Sequence, residues 1–155
     1  MKDLAQAMRE IQVELLPLHP GIGVSSMFLH QNGIHGRETL LERLNDGDRF
    51  LPLKGADGRV RLHSKSSIAA LVCREELEEL RALRELLPSP VRVRLRLRDG
   101  SDLEGELLLL LPGSHQRALD FLNASERFFL LATSRGATFV NQDWIDFAMP
   151  SAETP

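Results

Sequence analysis

The sequence predicts a mainly β protein with short helices, made of two tandem five-stranded small barrels joined by an amphipathic helix. Three observations favour this fold class: an internal repeat, strands of period two between closely spaced turns, and one leucine stripe at helical spacing. Residues 44–53 return 78 positions later at 122–131, with the shared pattern Leu-Asn, three residues, Arg-Phe, an apolar residue, any residue and Leu. Because a repeated unit sets the architecture of a chain, we expect two copies of one module.

The repeat extends to both sides of this motif and places the two units at about 10–72 and 90–149. The further matches are Gly58 with Gly136, Ile68 with Ile145 after one dropped residue, and the alternating residues 11–15 with 91–95. Each unit reads as two strands, a short helical segment ending at the Leu-Asn pair, two more strands and a final short strand. Units of roughly 60 residues bury marginal cores alone, so we expect the two to pack together.

Four segments follow from these boundaries. A short amphipathic helix is expected to run into the first strand within residues 1–16. The segments are the first repeat with this N-terminal helix at 1–73, a linker helix at 74–89, the second repeat at 90–149 and a disordered tail at 150–155.

The segment between the repeats reads as a helix because its leucines recur at helical spacing. Glutamates fill its first turns and arginines follow, which suits the helix dipole, and Pro88 and Pro90 end it. The apolar face consists of Leu77, Leu80, Leu83 and Leu87. This face is expected to cover an open barrel edge; a helix that binds a partner or dimerises is the alternative.

Composition limits the classes of function. The chain has 155 residues and a formal net charge of −3, which gives no general attraction to nucleic acid or acidic membranes. A single cysteine, Cys73, excludes an internal disulfide framework and fits a reducing compartment. No N-terminal signal pattern and no membrane-length apolar run occur, so we expect a cytoplasmic protein without membrane contact.

Four arginines alternate with apolar residues along one predicted strand and form a candidate nucleic-acid surface: Arg92, Arg94, Arg96 and Arg98. The following strand carries Asp102, Glu104 and Glu106. A three-residue loop at 98–100, with a left-handed Gly100, pairs each of the first three arginines with a carboxylate. It also pairs Leu95 with Leu103 on the other face, whereas a two-residue loop would mix the faces. We therefore expect a solvated salt-bridge ladder, with nucleic-acid binding as the alternative.

Three short motifs in the second repeat are similar to those of a known family. They are the Asp99-Gly100 hairpin followed by Gly105, the run 120–123 ahead of a strand, and the closing segment 139–145. The stretch from 91 to 147 resembles the Sm-like small barrels and, more loosely, other SH3-like barrels. The resemblance implies a five-stranded barrel. RNA-binding members carry a basic residue and a glycine in the last loop, where this chain has Asn141-Gln142.

No residue pattern indicates catalysis, a metal or a cofactor. The histidines are scattered and lack a nearby acidic or thiol cluster: His19, His30, His35, His63 and His115. Cys73 has no adjacent base and is expected to be a buried structural thiol. The loop 63–67 could cradle a phosphate, although a polar loop is the favoured interpretation. We therefore expect a non-enzymatic protein with no catalytic residues, no metal site and no cofactor.

The repeated motif has a structural interpretation. Each asparagine is expected to cap a helix in the left-handed conformation, each arginine to start a strand and each phenylalanine, Phe50 or Phe128, to enter a core. The alternative is a paired surface for a ligand or partner. With the lone tryptophan as an anchor and the linker helix face, the candidate partner-binding residues are Trp144, Arg49, Arg127, Asn45, Asn123, Leu77, Leu80 and Leu83.

These observations predict a bacterial-type, cytoplasmic adaptor module that acts through protein–protein contact. Its partner is expected to be another protein or a second copy of the chain. The alternative function is Sm-like binding of RNA or single-stranded nucleic acid.

Overall fold

The structure is a computed structural model that describes residues 8–17, 23–31, 38–87, 89–109 and 115–151. Within these ranges the chain is mainly β, with a ten-stranded antiparallel sheet and three short α-helices. The first repeat contains β1 (Met8–Leu16), β2 (Ser25–His30), α1 (Leu40–Leu44), β3 (Phe50–Lys54), β4 (Val60–Ser64) and β5 (Ala70–Cys73). The linker is α2 (Glu78–Leu86). The second repeat contains β6 (Ser89–Leu97), β7 (Asp102–Leu109), α3 (His115–Ala124), β8 (Phe128–Thr133), β9 (Gly136–Asn141) and β10 (Ile145–Pro150).

The same order of elements therefore occurs twice. A 3₁₀ turn also precedes the last strand of each repeat, at Lys65–Ser67 and Gln142–Trp144. The strand order across the sheet is β10-β6-β7-β8-β9-β5-β1-β2-β3-β4. In each repeat the last strand pairs with the first, and the two repeats are joined by pairing between β5 and β9. The sheet is open, with β10 and β4 as its two end strands.

The first strand of each repeat pairs with two neighbours. In β1, residues 8–13 pair with β2 and residues 14–16 pair with β5. Its apolar residues Ile11, Val13 and Leu15 are buried because side chains of a strand alternate between its two faces. β6 pairs in the same way with β7 and β10.

The hairpin between β6 and β7 has the predicted register. Arg94 lies opposite Glu104, Leu95 opposite Leu103 and Arg96 opposite Asp102. The Leu97 N–H donates to the Ser101 carbonyl at 2.8 Å, and Gly100 has a φ of 87°. The three-residue loop is thus confirmed, and it keeps the apolar side chains on one face.

Two hydrophobic cores lie under the sheet. The first core takes its residues mostly from the first repeat, but Phe128, Ala137 and Phe139 of the second repeat also belong to it. The second core consists of Ala70, Val91, Val93, Leu95, Leu107, Leu109, Ala118, Phe129, Leu131 and Val140. The linker helix contacts the first core through Leu77 and Leu80, and Leu83 is half-buried.

Two sequence expectations about the repeated motif are wrong. Phe50 was expected in a core, but its side chain is 54% exposed, whereas Phe128 is 1% exposed. Phe128 is covered because the first repeat packs over it. Phe50 lies beside the end strand β4, which no other strand of the described ranges flanks on its outer side. Asn45 does end α1, but with a φ of −99°, and no non-glycine residue in the described ranges has a positive φ. Asn123 lies within the last turn of α3.

The chain ends are described only in part. The expected N-terminal helix falls on residues before Met8, outside the described ranges, and β1 begins at Met8. Of the expected tail, Pro150 lies in β10 and the Ser151 N–H donates to the Arg92 carbonyl at 2.9 Å. Residues 152–155 also fall outside the described ranges.

Candidate interaction surfaces at the two ends of the sheet

The junction between the repeats is built like the interior of a single sheet. Ala70 lies opposite Val140, Leu71 opposite Phe139, Val72 opposite Thr138 and Cys73 opposite Ala137. All four residues of β5 are buried, as are residues 137–141 of β9. The pairing is therefore a buried contact between the last strand of one repeat and the fourth strand of the other.

Side chains of the second repeat complete the first core across this junction. Phe128, Ala137 and Phe139 are each at most 2% exposed. They belong to one buried cluster with residues of the first repeat: Leu40, Leu44, Ile68, Leu71 and Cys73. Complete burial of an aromatic or aliphatic side chain stabilises a fold by about 1.5–3 kcal/mol. These three side chains therefore contribute much of the stability of the junction.

Three polar side chains bond across the same junction. The Asn45 amide bonds to both the N–H and the carbonyl of Phe128, at 2.9 and 3.0 Å. Asn141 Nδ2 donates to the Ile68 carbonyl at 3.0 Å, and Trp144 Nε1 donates to the Ser66 carbonyl at 2.8 Å. These bonds fix the position of one repeat against the other.

At one end of the sheet, apolar side chains lie exposed on and beside the end strand β4, which pairs only with β3 among the described strands. We call Phe50, Val60 and Leu62 the β4 edge; Val60 is 55% and Leu62 70% exposed. The strand pairing identifies their counterparts and corrects the expected alignment, because it matches Gly136 with Arg59 and not with Gly58. Phe50 lies opposite Ser64 in the first repeat, as Phe128 lies opposite Asn141 in the second. The counterparts of the β4 edge are therefore Phe128, Ala137 and Phe139, the three side chains buried in the first core.

At the other end, α3 and β10 border a groove of about 470 Å³. This α3–β10 groove is lined by Ala118, Leu119, Leu122, Asn123, Gln142, Ile145, Ala148 and Pro150. Each lining residue has a counterpart in the first repeat, 78 positions earlier for the residues of α3 and 77 positions earlier for the others. These counterparts are Leu40, Leu41, Leu44, Asn45, Lys65, Ile68, Leu71 and Cys73. The apolar counterparts belong to the first core or pack against it, where the side chains of β8 and β9 meet them. The groove is therefore the site that is filled in the first repeat and open in the second.

The strand beside the groove is also more exposed than its counterpart. Phe147 and Met149 of β10 are about half exposed, whereas their counterparts Ala70 and Val72 of β5 are buried. The difference arises because β5 is paired on both sides and β10 pairs only with β6 among the described strands.

The candidate partner-binding residues fall into separate places. Asn45 and Trp144 lie in the junction, and Asn123 lies exposed at the groove. Arg127 forms an ion pair with Asp143 at 3.2 Å, and Arg49 is exposed beside Phe50. The linker leucines Leu77 and Leu80 contact the first core instead of forming a free face.

The three arginines of β6 and the following Arg98 all have partners. Arg94 bonds to Glu104 at 2.6 Å, Arg92 lies 3.6 Å from the same carboxylate, and Arg96 bonds to Asp102. Arg98 donates to the main-chain carbonyl of Asp143. These exposed ion pairs lie on the solvent side of the hairpin and offset the positive charge of the stripe.

Lys65 of the candidate phosphate loop points inward. Its side chain is 2% exposed, and Nζ donates to the Arg43 carbonyl at 3.1 Å and to the Asp46 carboxylate at 2.6 Å. Burial opposes ionisation of Asp46, but hydrogen bonds from Lys65 and the Asp48 N–H, with the charges of Lys65 and Arg43, outweigh it and lower the carboxyl pKa. Lys65 therefore stabilises the end of α1. Gln142 takes the same position in the second repeat and donates to the Leu122 carbonyl at 2.7 Å.

Cys73 is a buried thiol in the junction, as expected. Its side chain is fully buried and unpaired, and burial raises its pKa to about 11. A protonated, inaccessible thiol is unreactive, which fits a structural role.

Sequence reasoning did not identify the residues of the two sheet ends. Val60, Leu62, Leu119, Phe147 and Met149 follow ordinary strand and helix patterns, and period-two alternation does not reveal which strands have only one neighbour. The repeat carries the relevant signal, because it aligns apolar residues of one copy with apolar residues of the other. The burial of the aligned residues can be compared only once the pairing of β5 with β9 is known.

Within the described ranges, His, Cys, Asp and Glu side chains form no cluster suited to a metal ion, and no helix is long and apolar enough to cross a membrane. Comparisons with family models, curated proteins and solved structures give no match to this chain. The two ends of the sheet are the candidate functional surfaces because exposed apolar side chains lie on or beside its end strands.

Proposed function

We propose that this chain is a protein–protein interaction module that binds other chains by strand addition at β4 and β10. The observation that carries this proposal is that each end strand of the sheet pairs with one neighbour among the described strands and has exposed apolar side chains beside it. Unpaired edge strands offer their main-chain N–H and carbonyl groups to another strand, and adjacent apolar pockets give such binding its specificity.

We also propose that the two groups of five strands are small barrels of the Sm-like or SH3-like kind. Two separate hydrophobic cores and the repeated order of elements support this interpretation. The free, buried thiol of Cys73 supports a cytoplasmic location, since reducing compartments keep thiols unpaired.

The role that we propose is non-enzymatic. Two candidate binding side chains form hydrogen bonds within the chain. Lys65 donates to the end of α1, and Trp144 donates to the Ser66 carbonyl. These bonds support structural roles for both side chains.

Site-specific photo-cross-linking in cells tests the proposal. A photoreactive amino acid replaces Leu62 on the β4 edge, Leu119 in the groove, or Leu86 on α2 as a control; Leu86 is 69% exposed, close to the 70% of Leu62. Discrete protein adducts are expected from positions 62 and 119 and not from position 86. Adducts of equal yield at all three positions, or none at 62 and 119, would overturn the proposal.

Nucleic-acid binding is tested separately by filter binding across a salt series. If the chain binds RNA with an affinity that falls steeply with salt and is lost in Arg94→Glu, nucleic-acid binding would replace protein binding as the proposed function.

A further inference from the structure

We infer that the chain that binds at both ends is a second copy of this protein, joined head to tail, with β4 of one copy paired to β10 of the next. This inference rests on the proposed function and names its partner. The protein already contains the template for such a contact. β5 is the counterpart of β10, β9 is the counterpart of β4, and β5 pairs with β9. Each copy then uses its one β4 edge and its one α3–β10 groove for different neighbours.

The template sets the register of the new pairing. Transferring the β5–β9 pairs to their counterparts places Ala148 opposite Leu62, with Phe147 opposite His63 and Met149 opposite Arg61. The hydrogen-bonding groups suit this register. The Ser151 N–H bonds to β6, so alternation along the strand directs the main-chain groups of Ala148 away from β6 and toward the open edge. On β9, the Asn141 N–H bonds to the carbonyl of Ala69, the residue before β5, so its counterpart Ser64 and, by the same alternation, Leu62 face the open side of β4.

The side chains of the β4 edge match the groove. In the first repeat, the counterparts of the groove residues pack with Phe128, Ala137 and Phe139 in one closed core. Phe50, Val60 and Leu62 are the counterparts of those three side chains and lie exposed at the opposite end of the molecule. Head-to-tail association therefore buries the exposed apolar groups of both ends in one step, as the internal junction does.

The repeated asparagine gives a polar contact of the same kind. Asn45 bonds to the main chain of Phe128 across the internal junction. Asn123 is its counterpart, lines the groove and is exposed. In the assembly the Asn123 amide is positioned to bond to the main chain of Phe50 in the next copy. The whole Leu-Asn-x3-Arg-Phe motif then belongs to a contact that is made once within the chain and once between chains.

Most positions of the new contact differ from those of the template, and three of the substitutions bear on its hydrogen bonds and its length. Ser64 replaces Asn141, Pro150 replaces Cys73 and lacks an N–H, and Arg59 stands at the position of Gly136. A Cβ at Gly136 would lie 2.6 Å from the Cys73 carbonyl, so the pairing between copies ends at Val60. With fewer hydrogen bonds than the internal junction, the contact between copies is the one that dissociates first.

The two surfaces differ from each other, so the contact is heterologous. Heterologous contacts continue from copy to copy until a ring closes, or extend as a filament. The assembly is therefore expected to contain more than two copies.

Mass measurement on the purified full chain tests this inference. Sedimentation and native mass spectrometry are expected to show species larger than a dimer. Leu62→Asp blocks one end and Leu119→Asp the other, each raising the dissociation constant by on the order of a hundredfold or more because a carboxylate would be buried without a partner. Both residues are at least half exposed, so the two blocked monomers should unfold at similar temperatures, below that of the Leu86→Asp control, whose assembly adds stability.

Mixing the two blocked variants gives the sharpest result. The Leu62→Asp copy keeps its groove and the Leu119→Asp copy keeps its β4 edge, so an equimolar mixture is expected to form a one-to-one heterodimer and nothing larger. Asn123→Ala, an exposed substitution, should weaken the wild-type assembly as a second and milder variant.

The opposite results would overturn the inference. A wild-type chain that stays monomeric at high concentration, blocked variants that assemble like wild type, or a mixture that stays monomeric would each do so. Cross-links from positions 62 and 119 to a different protein, together with a monomeric purified chain, would remove the second copy as partner and leave the proposed function intact. If no cross-link formed at positions 62 and 119, both the proposed function and the second copy as partner would be ruled out.

Discussion

The side-chain amide of Asn45 forms a two-point contact with the main chain of Phe128, accepting from its N–H at 2.9 Å and donating to its carbonyl at 3.0 Å. The two residues are 83 positions apart. The amide thereby supplies one donor and one acceptor to a strand end, as a neighbouring strand would. Aspartate or leucine could not supply both.

Asn45→Ala should therefore destabilise the fold by about 1–3 kcal/mol, since it leaves two part-buried main-chain groups without partners. Asn123→Ala is the matched control, because its counterpart amide is exposed; its effect on the monomer should stay within about 0.5 kcal/mol. Urea unfolding in the Leu62→Asp background measures both without a contribution from association. Equal losses for the two variants would contradict the assigned role of Asn45.

Gly136→Ala should weaken the junction more than an ordinary turn substitution does. Gly136 has a φ of 123°, and an added Cβ would lie 2.6 Å from the Cys73 carbonyl across the junction. Gly58→Ala serves as the control, since Gly58 also has a positive φ, of 79°, but has no atom within 4 Å of the added Cβ. We expect a loss of about 1 kcal/mol for Gly58→Ala and distinctly more for Gly136→Ala in thermal unfolding.

Lys65→Ala should cost about 1–3 kcal/mol, because it leaves carbonyls at the end of α1 without their donor. Lys65→Gln should cost less, since Gln142 at the same position of the second repeat donates to a carbonyl in the last turn of α3. The Asp46 pKa is lowered in the folded state, so its ionised form contributes stability above the unfolded pKa and loses it as the pH falls through the folded value. The difference between wild type and Lys65→Ala should shrink below about pH 4, which denaturation at several pH values can measure. A difference that grows on acidification would contradict this assignment.

Cys73 should react slowly with a thiol reagent in the native protein. Burial raises its pKa to about 11, so little thiolate forms near pH 8, and its side chain is inaccessible. The reaction rate with Ellman's reagent should rise sharply across the unfolding transition, and earlier in Gly136→Ala than in wild type because the junction opens first. Rapid reaction of native wild type would show that the junction is open.

Local rules were sufficient to predict the β6–β7 hairpin. Arg94 and Leu95 have to face opposite sides, and only an odd number of loop residues keeps Leu103 on the same face as Leu95, so parity is enough to set the register. The order of elements in each repeat followed from the aligned motifs for the same reason, since it depends on residues close in sequence.

The environment of Phe50 could not be predicted in this way. Phe50 and Phe128 occupy the same place in the repeat, yet one is exposed and the other buried. Their difference depends on whether another repeat packs over the strand, which is a property of sheet order and not of local sequence. The partner of Asn45 was missed for the same reason, because a capping role can be recognised locally and a bond to a residue 83 positions away cannot.

The first core borrows Phe128, Ala137 and Phe139 from the second repeat, whereas the second core takes from the first repeat one fully buried residue, Ala70. During synthesis, the first repeat therefore leaves the ribosome with an incomplete interior and can finish folding only once β9 has emerged. We expect a chain cut at the linker to leave residues 8–73 protease-sensitive and residues 89–151 comparatively resistant. We therefore expect the second repeat, although it is made last, to fold first, so that the order of folding reverses the order of translation.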